Sequence, residues 1–284
     1  MRACWMLLSW TALFVSVPRA APVEQEAVTR FERRDHDIVL AVRLNGRGPF
    51  RLLLDTGSTH SAVSARTAAD IGAPVVAKTV TGSAAGSQDT LVVRIDSLKV
   101  GAVEIADVLA SIVELDGIAG EGSLDGVIGQ DALAALRYTI DFRQRRVIWW
   151  PKESLVAPGA SLELQWNHGR FVTSLPQPHS LLRLVPDTGA TSLLLFDPDR
   201  TLPITELPAL ATLKTMSGAA EVRLARVREL QIGALTLRDV PAAVADRDAS
   251  EPAEIDGLLP LHWFDRVTVD GPRKRMTIEK DPRK

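Results

Sequence analysis

Cysteine is almost missing from this chain of 284 residues; the only one is Cys4. A mature chain without its first two dozen residues would hold none, which excludes internal disulfides, thiol catalysis and cysteine-ligated metal. Aromatic side chains are scarce at 5%, with a single tyrosine, Tyr138. Among the five histidines, His36, His60, His168, His179 and His262, no two have the close spacing of a ligand pair, so no metal site is expected. Excess charge is missing too. Lys and Arg number 33 against 35 Asp and Glu, a net charge of −2. The basic residues are scattered and form no stripe that could track a phosphate backbone, which argues against nucleic acid as a partner. The glycines from Gly117 to Gly126 match neither a dinucleotide-binding nor a phosphate-loop spacing, so nucleotide binding is not expected.

A bilayer-length apolar run is the last absence. The run from Cys4 to Val17 is 14 residues long, where a span needs about 20. Behind Arg2 it resembles a secretory signal, with cleavage near Ala20 or Ala21. Residues 1–21 are therefore read as a signal peptide or, if uncleaved, an N-terminal anchor. The expected location is exported, periplasmic or secreted, with membrane contact only if the leader stays.

Apolar material is plentiful at 46%, enough for two ordinary domains, and the sequence repeats itself. RLLLDTG at 51–57 returns as RLVPDTG at 183–189, an offset of 132, and LKVGAVEIADV at 98–108 returns as LQIGALTLRDV at 230–240 with the same offset. Asp125-Gly126-Val127-Ile128 returns as Asp256-Gly257-Leu258-Leu259, offset 131, and YTIDFRQRRVIW at 138–149 as VTVDGPRKRMTI at 267–278, offset 129. Four blocks in one order with slowly drifting offsets indicate two copies of one fold.

Each copy reads as β: short runs rich in Val, Ile and Leu alternate with Gly, Asn, Asp and Pro. Examples are Ile38–Val42 before Asn45-Gly46, Leu91–Ile95, and Val267–Val269 before Asp270-Gly271. Short helices are expected over Thr67–Ile71 and Asp131–Arg137. Pro151 to Gly159 breaks the pattern with two prolines and a glycine. The expected division is an N-terminal lobe over 22–150, a linker over 151–168 and a C-terminal lobe over 169–284. Trp149, Trp150 and Trp166 flank the junction and are read as packing residues.

The Asp-Thr-Gly of each copy ends an apolar strand-like run and is followed about 70 residues later by Asp-Gly and two aliphatics. Gly57 and Gly189 permit a tight turn close to the partner lobe, and Thr56 and Thr188 can each reach polar groups of the opposite turn. In these residues the chain resembles the aspartic peptidases of the pepsin-like and retropepsin-like kind. The resemblance implies an all-β, bilobal acid-protease-like fold, two pseudo-symmetric β-barrel lobes with an active-site cleft between them. Asp55 and Asp187 would be the catalytic pair, sharing one proton and one water. Thr56, Gly57, Thr188 and Gly189 would form the supporting turns, with Val127-Ile128-Gly129 and Leu258-Leu259 threaded behind them. The implied activity is that of an aspartic endopeptidase on polypeptide substrates, as a monomer, at acidic pH, with no metal or cofactor.

Gly82, Ser83 and Gly86, within Thr81–Gly86, fall where the flap would lie. The segment lacks the aromatic of pepsin-like flaps and is closer to the glycine-rich retropepsin type; a plain surface hairpin fits it equally. His60, five residues past Asp55, is read as a turn-exposed histidine. Two departures mark the second copy: Pro186 stands where the first has Leu54, and Pro260 where it has Gly129. They leave open a non-catalytic peptide-binding pseudoenzyme, or a cell-envelope scaffold with the same fold.

Overall fold

The computed structural model describes residues 19–20, 25–83, 86–115, 123–151, 159–196, 202–215, 218–247 and 251–280. Most of the proposed leader, Cys4 included, lies outside them. No helix among the described residues is long and apolar enough to cross a membrane.

The first half begins with β1 (Arg19–Ala20), β2 (Ala27–Arg30), β3 (Glu32–Arg34), β4 (Asp37–Leu44), β5 (Arg47–Leu54), β6 (Ser61–Val63) and α1 (Ala65–Asp70). It continues with β7 (Val75–Ser83), β8 (Gly86–Val100), β9 (Val103–Ile112), β10 (Gly126–Ile128), α2 (Gln130–Leu133), β11 (Arg137–Asp141) and β12 (Arg146–Trp149). The second half opens with β13 (Ala160–Glu163), β14 (Gln165–Asn167), β15 (Arg170–Gln177), β16 (Ser180–Asp187) and β17 (Leu193–Phe196). It ends with β18 (Ile204–Thr215), β19 (Gly218–Ile232), β20 (Leu235–Ala245), β21 (Gly257–Pro260), a 3-10 turn (Leu261–Trp263), β22 (Arg266–Asp270) and β23 (Arg275–Glu279). The fold is all-β and bilobal, as the repeat implied. β13 and β14 are strands inside the stretch read as a linker.

Period-two patterning builds the lobes. β4 turns Ile38, Leu40, Val42 and Leu44 into the main core, all fully buried, while Val39 faces the other way onto Leu53, Ala62 and Val127. Each such side chain contributes roughly 1.5–3 kcal/mol by leaving water. Two helix expectations are corrected. α1 starts at Ala65, two residues before the expected Thr67, because the Ser64 hydroxyl caps it by accepting from Thr67 N at 3.0 Å. α2 stops at Leu133 and does not reach Arg137, because Arg137–Asp141 pairs on both sides as a strand, with β12 and with β22.

That strand belongs to a six-stranded sheet, β13-β23-β22-β11-β12-β2, to which each half gives three strands. At its centre Thr139 lies opposite Thr268, with the hydroxyls 2.7 Å apart. Reciprocal ion pairs flank them, Arg137 to Asp270 at 3.5 Å and Arg266 to Asp141 at 3.7 Å. The lobes are thus joined by a shared sheet, and a pseudo-twofold axis runs between the two threonines. Trp149 is fully buried beside Tyr138, and Trp150 Nε1 donates to Thr139 Oγ1 at 2.7 Å. Trp166 is 44% exposed, edge-on to Phe171.

Candidate active site

β5 and β16 deliver Asp55 and Asp187 to the lobe interface. Behind the first, β10 runs parallel to β5, Ile128 level with Leu54, and antiparallel to β6. β21 stands in the same way between β16 and β17. Val127-Ile128 and Leu258-Leu259 therefore thread behind the turns. The aspartates of the two Asp-Gly blocks have a task that the sequence did not disclose. Asp125 Oδ2 accepts from Arg51 N at 2.7 Å, and Asp256 Oδ2 accepts from Arg183 N at 2.8 Å. Each pins the strand that carries the candidate carboxyl.

The two turns interlock through their threonines. Thr56 N donates to Thr188 Oγ1 at 3.0 Å and Thr188 N to Thr56 Oγ1 at 3.1 Å. The hydroxyls then donate onward, Thr56 Oγ1 to the Pro186 carbonyl at 2.8 Å and Thr188 Oγ1 to the Leu54 carbonyl at 2.7 Å. Pro186 thus supplies the carbonyl that Leu54 supplies in the other copy, and its missing N–H has no part in the interlock.

This brings the two carboxyls into a mutual hydrogen bond. Asp55 Oδ1 also accepts from Gly57 N at 2.9 Å and Ser58 N at 3.1 Å, whereas Asp187 Oδ1 accepts from Gly189 N alone, at 2.7 Å. Gly57 is required by proximity, since a Cβ there would stand 2.5 Å from Asp187 Cγ. Burial pushes both carboxyls above the ordinary carboxylate range. Asp187 is driven well above it, by burial and then by the charge of Asp55. Asp55 rises less, because the two turn N–H groups, Asp187 and the Arg170 guanidinium favour its charge. The extra backbone N–H donor therefore favours charge on Asp55 over Asp187.

The lobes differ in how they brace these turns. In the first, Gln130 N donates to the Ser58 carbonyl at 2.9 Å, Gln130 Nε2 to the Thr56 carbonyl at 2.9 Å, and Asp131 Oδ1 accepts from Ser61 N and Oγ. A Cβ at Gly129 would stand 2.5 Å from the His60 carbonyl carbon, so the first lobe demands glycine there. At the matching position Pro260 continues β21 level with Asp187, and the Ala190 carbonyl, equivalent to that of Ser58, interacts with the ring of His262 as hydrogen-bond donor. His262 stacks on His36 of the first lobe, centroids 4.0 Å apart. Nothing in the sequence singled out this histidine pair. His60 is exposed, as expected of a turn residue, and its carbonyl accepts from Ser58 Oγ at 2.8 Å.

Of the flap candidates, Gly82 and Ser83 end β7 and Gly86 opens β8, with Gly82 opposite Ser87 and Ser83 opposite Gly86; residues 84 and 85 lie outside the described residues. The second lobe carries the counterpart hairpin, β18–β19, with Thr215 opposite Gly218. The sequence signal was present, since Gly218 follows Gly86 by the same 132 residues.

Two like β lobes that bring a buried carboxyl, Asp187, and a half-buried one, Asp55, into one hydrogen bond define the architecture of an aspartic peptidase. The aspartyl protease family matches residues 40–132 and again 179–263, once in each lobe, and the chain belongs to that family. A search of curated proteins finds no match.

Proposed function

We propose that the chain is an exported aspartic endopeptidase, periplasmic or secreted, that hydrolyses peptide bonds with one water held between Asp55 and Asp187. The observation that carries this is the inequality of the two carboxyls at the lobe interface: Asp55 accepts from two backbone N–H groups and Asp187 from one, so charge is favoured on Asp55 and the proton on Asp187. Asp55 takes a proton from the water as its oxygen attacks the amide carbon, and Asp187 gives its proton to the carbonyl oxygen. As the tetrahedral intermediate breaks down the roles reverse: Asp55 gives its proton to the departing nitrogen, Asp187 takes one back from a hydroxyl of the intermediate, and the C–N bond breaks. The paired hairpins β7–β8 and β18–β19 would fold over a polypeptide from both sides, in the manner of retropepsin flaps. The chain would act as a monomer, since one copy holds both aspartates.

The test is peptide cleavage by the full chain across a pH series, with Asp55→Asn, Asp187→Asn and the double variant beside it. Wild type is expected to give a bell-shaped acidic profile belonging to the pair. All three variants should fall to one common background, because both groups serve one step. Activity surviving in Asp187→Asn would overturn the single-chain site in favour of a dimer built on Asp55 alone. Peptide binding without cleavage in wild type would make the chain a non-catalytic peptide binder.

A further inference from the structure

We propose that Asp37 is a specificity determinant of this cleft, a carboxylate that selects substrates bearing a cationic group beside Asp55. This deepens the peptidase reading above and rests on it. The register of β4 with β5, Val39 opposite Leu53, continued by two residues, sets Asp37 level with Asp55. That of β15 with β16, Thr173 opposite Leu184, continued by three, sets Arg170 level with Asp187. The turns leading to both residues are copies as well. Arg34 pairs with Asp37 as Asn167 pairs with Arg170, and the left-handed residue of each turn, Asp35 at φ 49° and His168 at φ 46°, occupies the same place. Each candidate aspartate therefore has a charged neighbour on the adjoining strand, and the two neighbours are opposite in sign.

Their surroundings differ in one respect. Arg170 brings its own counter-ion: Glu251 receives its guanidinium at 2.7 and 3.4 Å, and both side chains are close to nine-tenths buried. Asp37 is half-buried, and its carboxyl makes no hydrogen bond or ion pair among the described residues. The nearby cations are engaged elsewhere, Arg33 with the Asp35 carbonyl and His36 Nδ1, Arg34 with Glu32. Burial, then the charge of Asp55, then that of Asp35 push the Asp37 carboxyl up to about 6. A carboxylate held among like charges without a counter-ion is costly to the fold. A lysine or arginine side chain, or a free amino terminus, would supply to Asp37 what Glu251 supplies to Arg170. The selectivity is one-sided, because the Asp187 side is already neutralised.

The experiment is a positional peptide scan with the full chain, in which each position around the scissile bond carries lysine or its neutral isostere norleucine, in acetylated and free-amine forms. Wild type, Asp37→Asn and Asp37→Glu are compared by kcat/KM, and by equilibrium binding of the same peptides in an Asp187→Asn background. At one position, wild type at pH 7 should favour the cation by about tenfold or more. The ratio should fall to near one in Asp37→Asn, persist in Asp37→Glu, and fade in wild type as pH drops below about 6. Loss of the preference on acetylation would place the cation at the amino terminus; its retention would place it on a side chain. Equal ratios in wild type and a folded Asp37→Asn would overturn the proposal. If wild type cleaves no peptide, the peptidase reading falls, and the binding ratio still decides the role of Asp37.

Discussion

Thr56 and Thr188, 132 residues apart, each give a backbone N–H to the other's hydroxyl across the lobe interface. Both are buried, and each hydroxyl passes its own proton to a carbonyl of the opposite lobe. Thr56→Val keeps the side-chain shape but leaves Thr188 N and the Pro186 carbonyl without partners. At about 1–3 kcal/mol for each stranded group, the loss should be about 2–6 kcal/mol, with Thr188→Val losing a similar amount. Thr56→Ser, which keeps the hydroxyl, should retain most of the stability. Denaturant midpoints of the three variants check this, and an unchanged Thr56→Val midpoint would refute the interlock.

The two glycines beside the carboxyls are not equivalent. A Cβ at Gly57 would run into the Asp187 carboxyl at 2.5 Å, whereas one at Gly189 would meet Asp187 Oδ1 at 3.4 Å and Asp55 no nearer than 3.7 Å. Gly57→Ala must displace the reacting group, and a shift of that size costs roughly a hundredfold in rate. Gly189→Ala should keep measurable activity. Comparing the two kcat values decides the matter, and equal losses would show that the backbone absorbs either methyl.

The carboxyls, the threonines and the threaded strands were legible because the duplication marks them with repeated residues at a fixed offset. The central sheet was only half legible. The block from Tyr138 and its copy from Val267 are visible as a repeat, but that they pair with each other depends on long-range contacts such as Thr139 with Thr268. For the same reason Arg137 was assigned to a helix that its sheet partners do not allow. The hairpin β18–β19 has a tip, Thr215–Ala220, that shares Thr, Ser, Gly and two Ala with Thr81–Gly86 in a different order, so composition carried the signal and position-by-position matching did not. Asp37 and Arg170, or Asp131 and His262, are equivalent positions filled by unlike residues, and unlike residues conceal an equivalence that only register reveals.

The histidine stack makes the protein sensitive to acid. Burial, then His36, then Arg33 lower His262 to about 4, with Lys280 adding to the effect against the interaction with the Ala190 carbonyl. His36 is lowered by burial and Arg33, against Asp35. A histidine near 6.5 in the unfolded chain and near 4 in the folded one binds more proton when unfolded. Its contribution is therefore complete above about 6.5 and is lost as pH falls towards 4. His262→Gln can still donate to Ala190 but does not titrate there. Between pH 7 and pH 4.5 its melting temperature should drop less than that of wild type; an equal drop would remove His262 from the account.

Asp187 works in the opposite direction. Its carboxyl lies well above the ordinary range when folded, through burial and the charge of Asp55. The unfolded chain releases that proton near 3.8, so from there upward the folded state binds more proton and stability falls as pH rises. Asp187→Asn imitates the protonated side chain, because its amide N–H can donate to Asp55 while its oxygen still accepts from Gly189 N. The variant should lack peptidase activity and yet be more stable than wild type at pH 7, with the gain shrinking towards pH 4 as wild-type Asp187 becomes protonated in both states. Asp55→Asn should gain less, since Asp55 rises less and its charge is already served by Gly57 N and Ser58 N. Urea unfolding of the three proteins at pH 4 and pH 7 tests the order. A stability gain in Asp187→Asn that does not change with pH would mean that the carboxyl of Asp187 is not the one that holds the proton.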